Sequence, residues 1–411
     1  MQSPLMLLKA ASLLALTLVT RVQSFSITNV TIVDVETGQL RPNQDIVVEG
    51  NTIALIEEAS TKPTAAKEED VDGTGKFAIP GLSDMHVHAY FSNNPATFKI
   101  GDNLTMPLFV ANGVTTVRDL GSNLEAITSA RDRIAEHQLV GPRVFLTGPM
   151  LDGKESPFQT AIKVGTPEEA RQAVENLTDS GVDFIKVHLK LSRQVFDEVA
   201  RACKDEEIVF GGHVPDAIDA QYAIDMGMGF IEHMSRLEEA DGNVTEAIQE
   251  KHIWQCPTLK LAPAKQRFQL TKALFDAGAP MVAGTDSPAG QKLCPGVSLL
   301  DELELMNRAG LTELQTLQTA TRNAASMLGK DSDMGTIEDG KLADIVLLDR
   351  NPLDSISNIR KIDTVIADGR VFSREKLRTM LAGANRLRQC NPQGTIAARD
   401  LLSAGPSCCS I

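Results

Sequence analysis

The sequence predicts an α/β fold, a (β/α)8 barrel of the TIM type with a small β-sandwich domain built from both chain ends. Two observations carry this prediction. Strand-like runs alternate with helical patterns through the middle of the chain, and similar β-rich segments flank that middle on both sides. Eight strand–helix units over this length indicate a parallel barrel. An open doubly wound sheet is the alternative, but no glycine-rich nucleotide-binding motif follows any early strand.

The first 24 residues differ in composition from the rest of the chain. Lys9 precedes an apolar stretch, 10–19, which is followed by a polar end. That order is typical of a secretory signal peptide, here with cleavage after Ser24. The stretch is short for a membrane span, although a membrane anchor or a buried helix is the alternative. We therefore expect a secreted protein without membrane attachment in its mature form. Four N-x-T sequons fit a glycoprotein: Asn29, Asn103, Asn176 and Asn243.

The β-rich segments define the expected domain boundaries. The segment 25–80 shows alternating β-branched residues broken by the turn sequences "ETG" and "EGN". The same texture returns in 335–375, so we expect these two segments to form one composite β-sandwich domain. The barrel would then span 81–334. The remainder, 376–411, begins as a basic helix and continues as a tail of no clear periodicity.

Within the barrel region, apolar runs and turn residues predict both strands and helices. The helical pattern "TPEEARQAVENLTDSG" opens with Thr166 as its N-cap and Pro167 at its first position, with acidic residues in the first turn. Eight segments are predicted as strands: 83–88, 114–119, 143–148, 183–188, 208–213, 229–233, 254–259 and 280–286.

Polar side chains collect at the carboxyl ends of the predicted strands, where barrel active sites lie. His86 and His88 end the first strand, and they share a face because side chains alternate along a strand. Two imidazoles so placed can bind a metal ion, whereas a lone pair of surface histidines is the plainer alternative. Three further histidines and one aspartate end later strands: His188, His213, His233 and Asp286. Scattered core histidines would not be sorted in this way.

Lys186 shares a strand face with His188, and we assign that face to the barrel interior. An ammonium group buried beside metal ions is costly, so the amine would be neutral and could take up carbon dioxide as a carbamate. The alternative is a lysine whose stem packs while its tip reaches solvent.

Two further residues are candidates for substrate contacts. Arg118 ends the second predicted strand and could bind a substrate carboxylate with two hydrogen bonds, or it could pair with a neighbouring acid. Tyr90 follows the histidine pair and is a candidate for the pocket wall. His188 is the third candidate substrate contact, because it lies one pleat beyond Lys186 toward the barrel mouth.

These residues and their flanking motifs, "PGLSDMHVH" and "AGTDSP", resemble the amidohydrolase superfamily. The segments "GTIEDGKLADIVLLDRNPL" and "VIADGRV" are similar to the composite sheet domain of that family. The resemblance covers about residues 25 to 375. It is strongest to the imidazolonepropionase-like and Xaa-Pro dipeptidase-like branch, which includes amidases acting on aromatic amino-acid amides, among them secreted fungal enzymes that degrade toxins.

The resemblance implies two Zn²⁺ ions per chain, bridged by carbamylated Lys186. A hydroxide between the ions would be the nucleophile, and Asp286 would carry its proton to the leaving nitrogen. His188 would contact substrate or stabilise the oxyanion. The remaining ligands follow position by position: His86 and His88 with Asp286 for the more buried ion, His213 and His233 for the other.

We therefore expect a secreted amidohydrolase that cleaves an amide, peptide or cyclic amide C–N bond of a small molecule. One alternative keeps the metals but catalyses dehydration, decarboxylation or isomerisation of a natural product, and another is a non-catalytic binding relative. The formal net charge of -14 disfavours nucleic acid and anionic membranes as partners. Six cysteines without a C-x-x-C pair argue against a cysteine zinc site. A homo-oligomer is left open.

Overall fold

A computed structural model of the chain shows a mixed α/β fold and describes residues 24–60, 69–237, 242–289 and 293–390. The predicted signal peptide lies outside these ranges except for Ser24. The strands are β1 Ser24–Val33, β2 Leu40–Glu49, β3 Thr52–Glu58, β4 Val71–Asp72, β5 Phe77–Pro80, β6 Leu82–Val87, β7 Val114–Asp119, β8 Arg143–Leu146, β9 Leu151–Asp152, β10 Ile162–Lys163, β11 Ile185–Val187, β12 Phe210–Gly212, β13 Phe230–Glu232, β14 Trp254–Cys256, β15 Ile345–Leu348, β16 Ile362–Ala367 and β17 Arg370–Phe372.

The α-helices are α1 Pro95–Ile100, α2 Met106–Ala111, α3 Leu124–Ala135, α4 Pro167–Asp179, α5 Arg193–Asp205, α6 Ala220–Asp225, α7 Gly242–Glu250, α8 Lys265–Asp276, α9 Val297–Ala309, α10 Glu313–Thr319, α11 Arg322–Met327 and α12 Arg374–Cys390. A π-helical turn, Gly101–Thr105, joins α1 to α2, and a 3₁₀ helix, Ile356–Arg360, precedes β16. Within the described residues, the helices are too short or too polar to cross a lipid bilayer.

One eight-stranded sheet draws its strands from both ends of the described chain. Its order is β17-β16-β15-β5-β1-β2-β3, with β4 paired to β1. The central strand β5 runs parallel to β1 and antiparallel to β15, where Ile79 lies opposite Val346. Alternate residues of these strands, such as Phe25 and Ile27 in β1, are fully buried in a separate apolar core. This burial explains the alternating β-branched pattern of both terminal segments.

Two further sheets are entirely parallel and carry the residues of interest. Their orders are β6-β7-β8 and β10-β9-β11-β12-β13-β14. Every residue of β6 and β7 is buried, which is typical of parallel strands covered on both faces. Strands form within seven of the eight predicted segments. The eighth, 280–286, contributes isolated parallel bridges through Met281 and the adjoining Ser287. The parallel sheets are not joined into a closed ladder, so closure of the barrel stays a prediction.

The helix predicted from the "TPEEARQAVENLTDSG" pattern is confirmed as α4. The Thr166 side chain accepts a hydrogen bond from the Glu169 amide, and Pro167 is the first helical residue. The buried residues of α4 recur every three or four positions and form one apolar stripe against the core: Ala170, Ala173, Val174 and Leu177. The cap and the stripe together fix where this helix begins and which face it buries.

Candidate metal centre

The carboxyl ends of the parallel strands bring the predicted ligand residues into one buried cluster. His86 lies near the end of β6, Lys186 is the central residue of β11, and the other members directly follow β6, β11, β12 and β13 or lie in the 283–287 segment. None is more than 5% exposed. The cluster consists of His86, His88, Lys186, His188, His213, His233 and Asp286.

His86, His88 and Asp286 form one side of the cluster. The Asp286 Oδ1 atom lies 2.9 Å from His88 Nε2 and 3.3 Å from His86 Nε2. The two Nε2 atoms are 3.3 Å apart. Burial alone would raise the pKa of the Asp286 carboxyl, but its contacts with both imidazoles lower that pKa below its usual value. An ionised carboxylate and two imidazole nitrogens therefore converge on one point, as a divalent metal requires.

His213 and His233 extend the cluster on its other side. The ring centroid of His233 lies 4.6 Å from that of His86 and 4.6 Å from that of His213. Burial and the neighbouring positive groups lower the pKa of both His213 and His233 well below the usual histidine value. Neutral imidazoles keep a lone pair, which is the form that binds metal ions.

The outer nitrogens of two of these rings are held by side chains behind the cluster. His86 Nδ1 lies 2.6 Å from Glu232 Oε2, and His233 Nδ1 lies 2.7 Å from Thr258 Oγ1. Within the described ranges, by contrast, His233 Nε2 and both ring nitrogens of His213 are buried without a hydrogen-bond partner. Buried polar atoms are rarely left unsatisfied, and outer partners of this kind are typical of metal-binding histidines. The donor set therefore fits a metal centre.

Lys186 is buried, with 1% of its surface exposed, so the alternative of a solvent-reaching tip is wrong. Its stem passes directly over Gly212 of β12. A Cβ atom at Gly212 would lie 2.7 Å from Lys186 Cδ and 2.3 Å from the Val187 carbonyl oxygen, at a φ of +133°. Only glycine accommodates both this backbone conformation and this close approach. The "GGH" sequence thus makes room for the lysine beside the histidines.

Several residues that shape the cluster adopt left-handed backbone conformations. The φ angles are 60° at His233, 48° at Thr258 and 66° at Asp286. Each such residue costs about 1–3 kcal/mol unless glycine occupies the position, and such residues concentrate at functional sites. The backbone therefore holds two predicted ligands and one outer partner in conformations that packing must maintain.

Arg118 is not placed to bind substrate. It is fully buried, its Nη2 lies 2.5 Å from Glu232 Oε1, and its Nε donates to the Met85 carbonyl oxygen. Burial alone would raise the pKa of Glu232, but the Arg118 charge and the contact with His86 together outweigh it and lower that pKa to about 2. The ion pair that the sequence offered as the alternative is the arrangement found. Arg118 does not bind substrate as predicted because its side chain pairs with a buried acid of another strand.

Tyr90 also has a structural partner. Its hydroxyl donates to Asp102 Oδ1 at 2.6 Å, and Asp102 in turn accepts from Arg133. The Tyr90 ring lies against Gly101, where a Cβ atom would be 2.2 Å from Tyr90 Cε1. Tyr90 thus stabilises the π-helical turn 101–105. We predicted Tyr90 as part of the pocket wall, but its hydroxyl is bound to this turn and not directed at the cluster.

His188 lies beside the ligands, as its strand position predicts. Its ring centroid is 4.3 Å from that of His213 and 5.1 Å from that of Phe158. His188 Nδ1 is 3.2 Å from Asp152 Oδ2, whereas its Nε2 has no hydrogen-bond partner among the residues that the structure describes. Burial lowers the pKa of His188, although Asp152 opposes that shift. The unpartnered nitrogen can accept or donate one hydrogen bond within the site.

Sequence reasoning missed three side chains that hold the cluster from behind: Glu232, Thr258 and Asp152. A signal existed for Glu232, since an acid within the apolar strand "GFIEH" must be paired once it is buried. Asp152 and Thr258 lie in "MLDG" and "CPTL", which carry no comparable signal.

Comparisons with known proteins agree with the geometry. A model of the "Amidohydrolase family" matches residues 77–372. The 5-methylthioadenosine/S-adenosylhomocysteine deaminase of Thermoanaerobacter pseudethanolicus is 22% identical over 415 aligned positions, which cover 84% of this chain and 93% of that protein. Ochratoxinase of Aspergillus niger is 23% identical over 396 positions, covering 78% and 80%. The structure of a Xaa-Pro dipeptidase with bound methionine superposes with a TM-score of 0.74 at 23% identity, covering 85% of this chain and all of that one.

Proposed function

The chain belongs to the amidohydrolase family, and from that premise we propose that it is a secreted, metal-dependent hydrolase of an amide, peptide or cyclic amide C–N bond in a small molecule. The family is metal-dependent and includes hydrolases that act on C–N bonds. One observation carries the proposal: a buried cluster of ligand-type side chains in which His233 Nε2 and both ring nitrogens of His213 lack hydrogen-bond partners among the described residues. Secretion rests on the signal-like order of the first 24 residues.

We propose that this site lies at the mouth of a (β/α)8 barrel. The two parallel sheets would each form part of the wall of that barrel. Isolated parallel bridges support the closure: Val87 pairs with Ser287, and Gln255 pairs with Met281. On the other side, the Asp183 amide donates to the Leu146 carbonyl oxygen between the β8 and β11 regions. The neighbouring structures of this family adopt related folds, and barrels of this type carry their active sites at the carboxyl ends of the strands.

Two metal ions suit the donor set, because it offers more ligands than one tetrahedral site uses. His86, His88 and Asp286 would hold one ion, and His213 and His233 would hold the other. One ligand atom each from His86, His233 and Asp286 already lies within 4.8 Å of the others, so the two halves are contiguous. Nitrogen and carboxylate donors of this kind favour zinc.

Lys186 would bridge the two halves as a carbamate. Its neutral amine would add to the carbon of carbon dioxide and release a proton, which leaves a carboxylate-like group with two oxygen donors. Burial disfavours the ammonium form of Lys186, whereas the carbamate anion would be stabilised by the metal ions when they are bound. The opening at Gly212 leaves the lysine stem room to reach that position.

When bound, the metal ions supply Lewis acidity and lower the pKa of a coordinated water. Asp286 then accepts the proton of the attacking water on a carboxylate oxygen and returns it to the departing nitrogen. His188 contacts the substrate through Nε2, since Asp152 holds its Nδ1. Both groups are fixed by packing before substrate arrives, which is the condition for efficient proton transfer.

An aromatic wall beside the cluster indicates an apolar or aromatic group on the substrate. Phe91 lies 4.9 Å from His88 between ring centroids, Phe158 lies 5.1 Å from His188, and the two phenylalanines are 5.7 Å apart. A ring or branched aliphatic group of the substrate can pack against these two rings while the scissile carbonyl faces the histidines.

The proposal is tested with the zinc-loaded secreted protein on N-acyl amino acids and dipeptides, with N-acyl-phenylalanine compared against N-acyl-glycine. Hydrolysis in ¹⁸O-labelled water must place one labelled oxygen in the product carboxylate. A product formed without label uptake would favour the dehydratase, decarboxylase or isomerase alternative. A protein that binds no metal would favour the non-catalytic binding relative instead.

A further inference from the structure

A fully buried chain of three side chains runs behind the metal-ligand cluster. Glu232 lies in its middle, with Oε1 2.5 Å from Arg118 Nη2 and Oε2 2.6 Å from His86 Nδ1. All three side chains are 0% exposed. Each oxygen of the carboxylate thus faces one nitrogen, and water has no access to substitute for either contact.

The chemistry of these groups fixes where the protons lie. A guanidinium can only donate hydrogen bonds, and an ionised carboxylate can only accept them. His86 must therefore carry a proton on Nδ1 to satisfy Glu232, so the neutral imidazole keeps its lone pair on Nε2. That Nε2 atom is the one that faces His88 Nε2 and Asp286 Oδ1, each at 3.3 Å.

We propose that Glu232, oriented by Arg118, selects the tautomer of His86 that can bind metal, so this buried ion pair is a positioning element for metal affinity. The inference rests on the proposed metal centre. Arg118 is itself fixed, because its Nε donates to the Met85 carbonyl oxygen and its guanidinium carbon lies 4.5 Å from the Phe230 ring centroid. Arg118 also keeps the Glu232 carboxylate from being buried as an unpaired charge.

Replacement of Glu232 by glutamine gives the proposal a sharp test, since the amide has one oxygen where the carboxylate has two. Arg118 can only donate, so the amide oxygen of the Glu232→Gln variant turns toward Arg118. The amide NH₂ then faces His86 Nδ1, which must accept, and the proton moves to Nε2. That tautomer keeps its lone pair on Nδ1, so the Nε2 atom that faces the cluster cannot bind a metal.

The double variant Arg118→Met/Glu232→Gln removes the competing donor. The amide is then free to turn its oxygen toward His86, which restores the proton on Nδ1 and the lone pair on Nε2. Two buried changes together should therefore bind metal better than one alone, an outcome that simple structural damage does not produce.

Zinc affinity of the apoprotein is measured by competition with a chromophoric chelator. We expect Glu232→Gln to weaken zinc binding about 10- to 100-fold and the double variant to regain most of that loss. Asp344→Asn is the matched control, because Asp344 is a buried carboxylate directly before β15, 3.6 Å from Arg143 of β8, and it is not a member of the cluster. Its zinc affinity should equal that of the wild type.

The tautomer is read directly from ¹⁵N chemical shifts of the imidazole nitrogens in apoprotein labelled at histidine. We expect a protonated Nδ1 at His86 in the wild type and a protonated Nε2 in Glu232→Gln. A wild-type His86 that is protonated on Nε2 and not on Nδ1 overturns the proposal, and this measurement needs no variant to fold. Wild-type zinc affinity in Glu232→Gln, or no recovery in the double variant, overturns it as well. A wild type with the expected tautomer but no zinc binding would instead refute the proposed metal centre.

Discussion

Substitution of Asp286 by asparagine separates the two tasks that we assign to this residue, metal ligation and proton transfer. Asp286 is 1% exposed, and its Oδ1 lies 2.9 Å from His88 Nε2 and 3.3 Å from His86 Nε2. Its backbone is left-handed, with a φ of 66°. Asparagine tolerates this conformation as aspartate does. The Asp286→Asn variant therefore keeps the side-chain shape and the backbone, and it changes only the charge and the capacity to hold a proton.

The expected loss follows from what the amide still provides. An asparagine oxygen can occupy the same position, and five other ligand side chains remain, so most of the metal should stay bound. The amide cannot accept and release a proton, and positioned acid–base groups contribute about 10²–10⁴-fold in rate. We expect turnover to fall by at least that factor, which corresponds to about 2.7–5.4 kcal/mol of transition-state stabilisation.

Three measurements on one preparation decide the question: zinc content, affinity for a substrate analogue that cannot be hydrolysed, and turnover. The reasoning holds if zinc and analogue binding survive while turnover collapses. If turnover falls only in proportion to the lost zinc, Asp286 is a ligand alone and proton transfer belongs to another group, with His188 the first candidate. Asp344→Asn, which removes a buried carboxylate directly before β15 and outside the cluster, controls for a general loss of stability.

Lys186→Ala should lose metal and activity and recover part of both when short carboxylic acids are added; full metal content with normal turnover would exclude the carbamate. His188→Ala should retain metal but turn over more slowly, and loss of metal would identify it as a ligand. N-terminal sequencing of protein from culture medium should find a chain that begins just after Ser24, whereas an intact Met1 would refute signal cleavage. Thr166→Ala should lower the free energy of unfolding by about 1 kcal/mol, because the Glu169 amide loses its cap; an unchanged denaturation midpoint would contradict this.

Strand periodicity predicted which residues gather at the strand ends, because it follows from local geometry. The predicted strand 114–119 coincides with β7, and the histidines predicted to end strands lie within or directly after them. The segment 280–286 is the exception among the predicted strands. Its last residue, Asp286, has a left-handed backbone, so the segment cannot continue as an extended strand to that position.

The partners of buried polar groups could not be predicted, since they depend on long-range packing. The end of the second predicted strand made Arg118 a candidate substrate contact, but it could not show that Glu232, more than a hundred positions away in sequence, lies within reach of its guanidinium. The bond from Tyr90 to Asp102 likewise depends on the π-helical turn 101–105, for which the sequence has no periodic signal. Local patterns thus identify which residues gather at a strand end, whereas tertiary contacts decide what each one touches.

The position of β5 in the eight-stranded sheet has a consequence for how the protein is made. β5 leads within two residues into β6, which carries His86, and its two neighbours are β1 and β15. Because β15 is synthesised after the whole parallel region, β5 can pair only with β1 in the nascent chain until β15 has emerged from the ribosome. A chain terminated before β15 would contain every proposed ligand and yet lack the strand that fixes the first of them. A premature stop codon between Asp286 and β15 should therefore abolish zinc binding as completely as loss of a histidine.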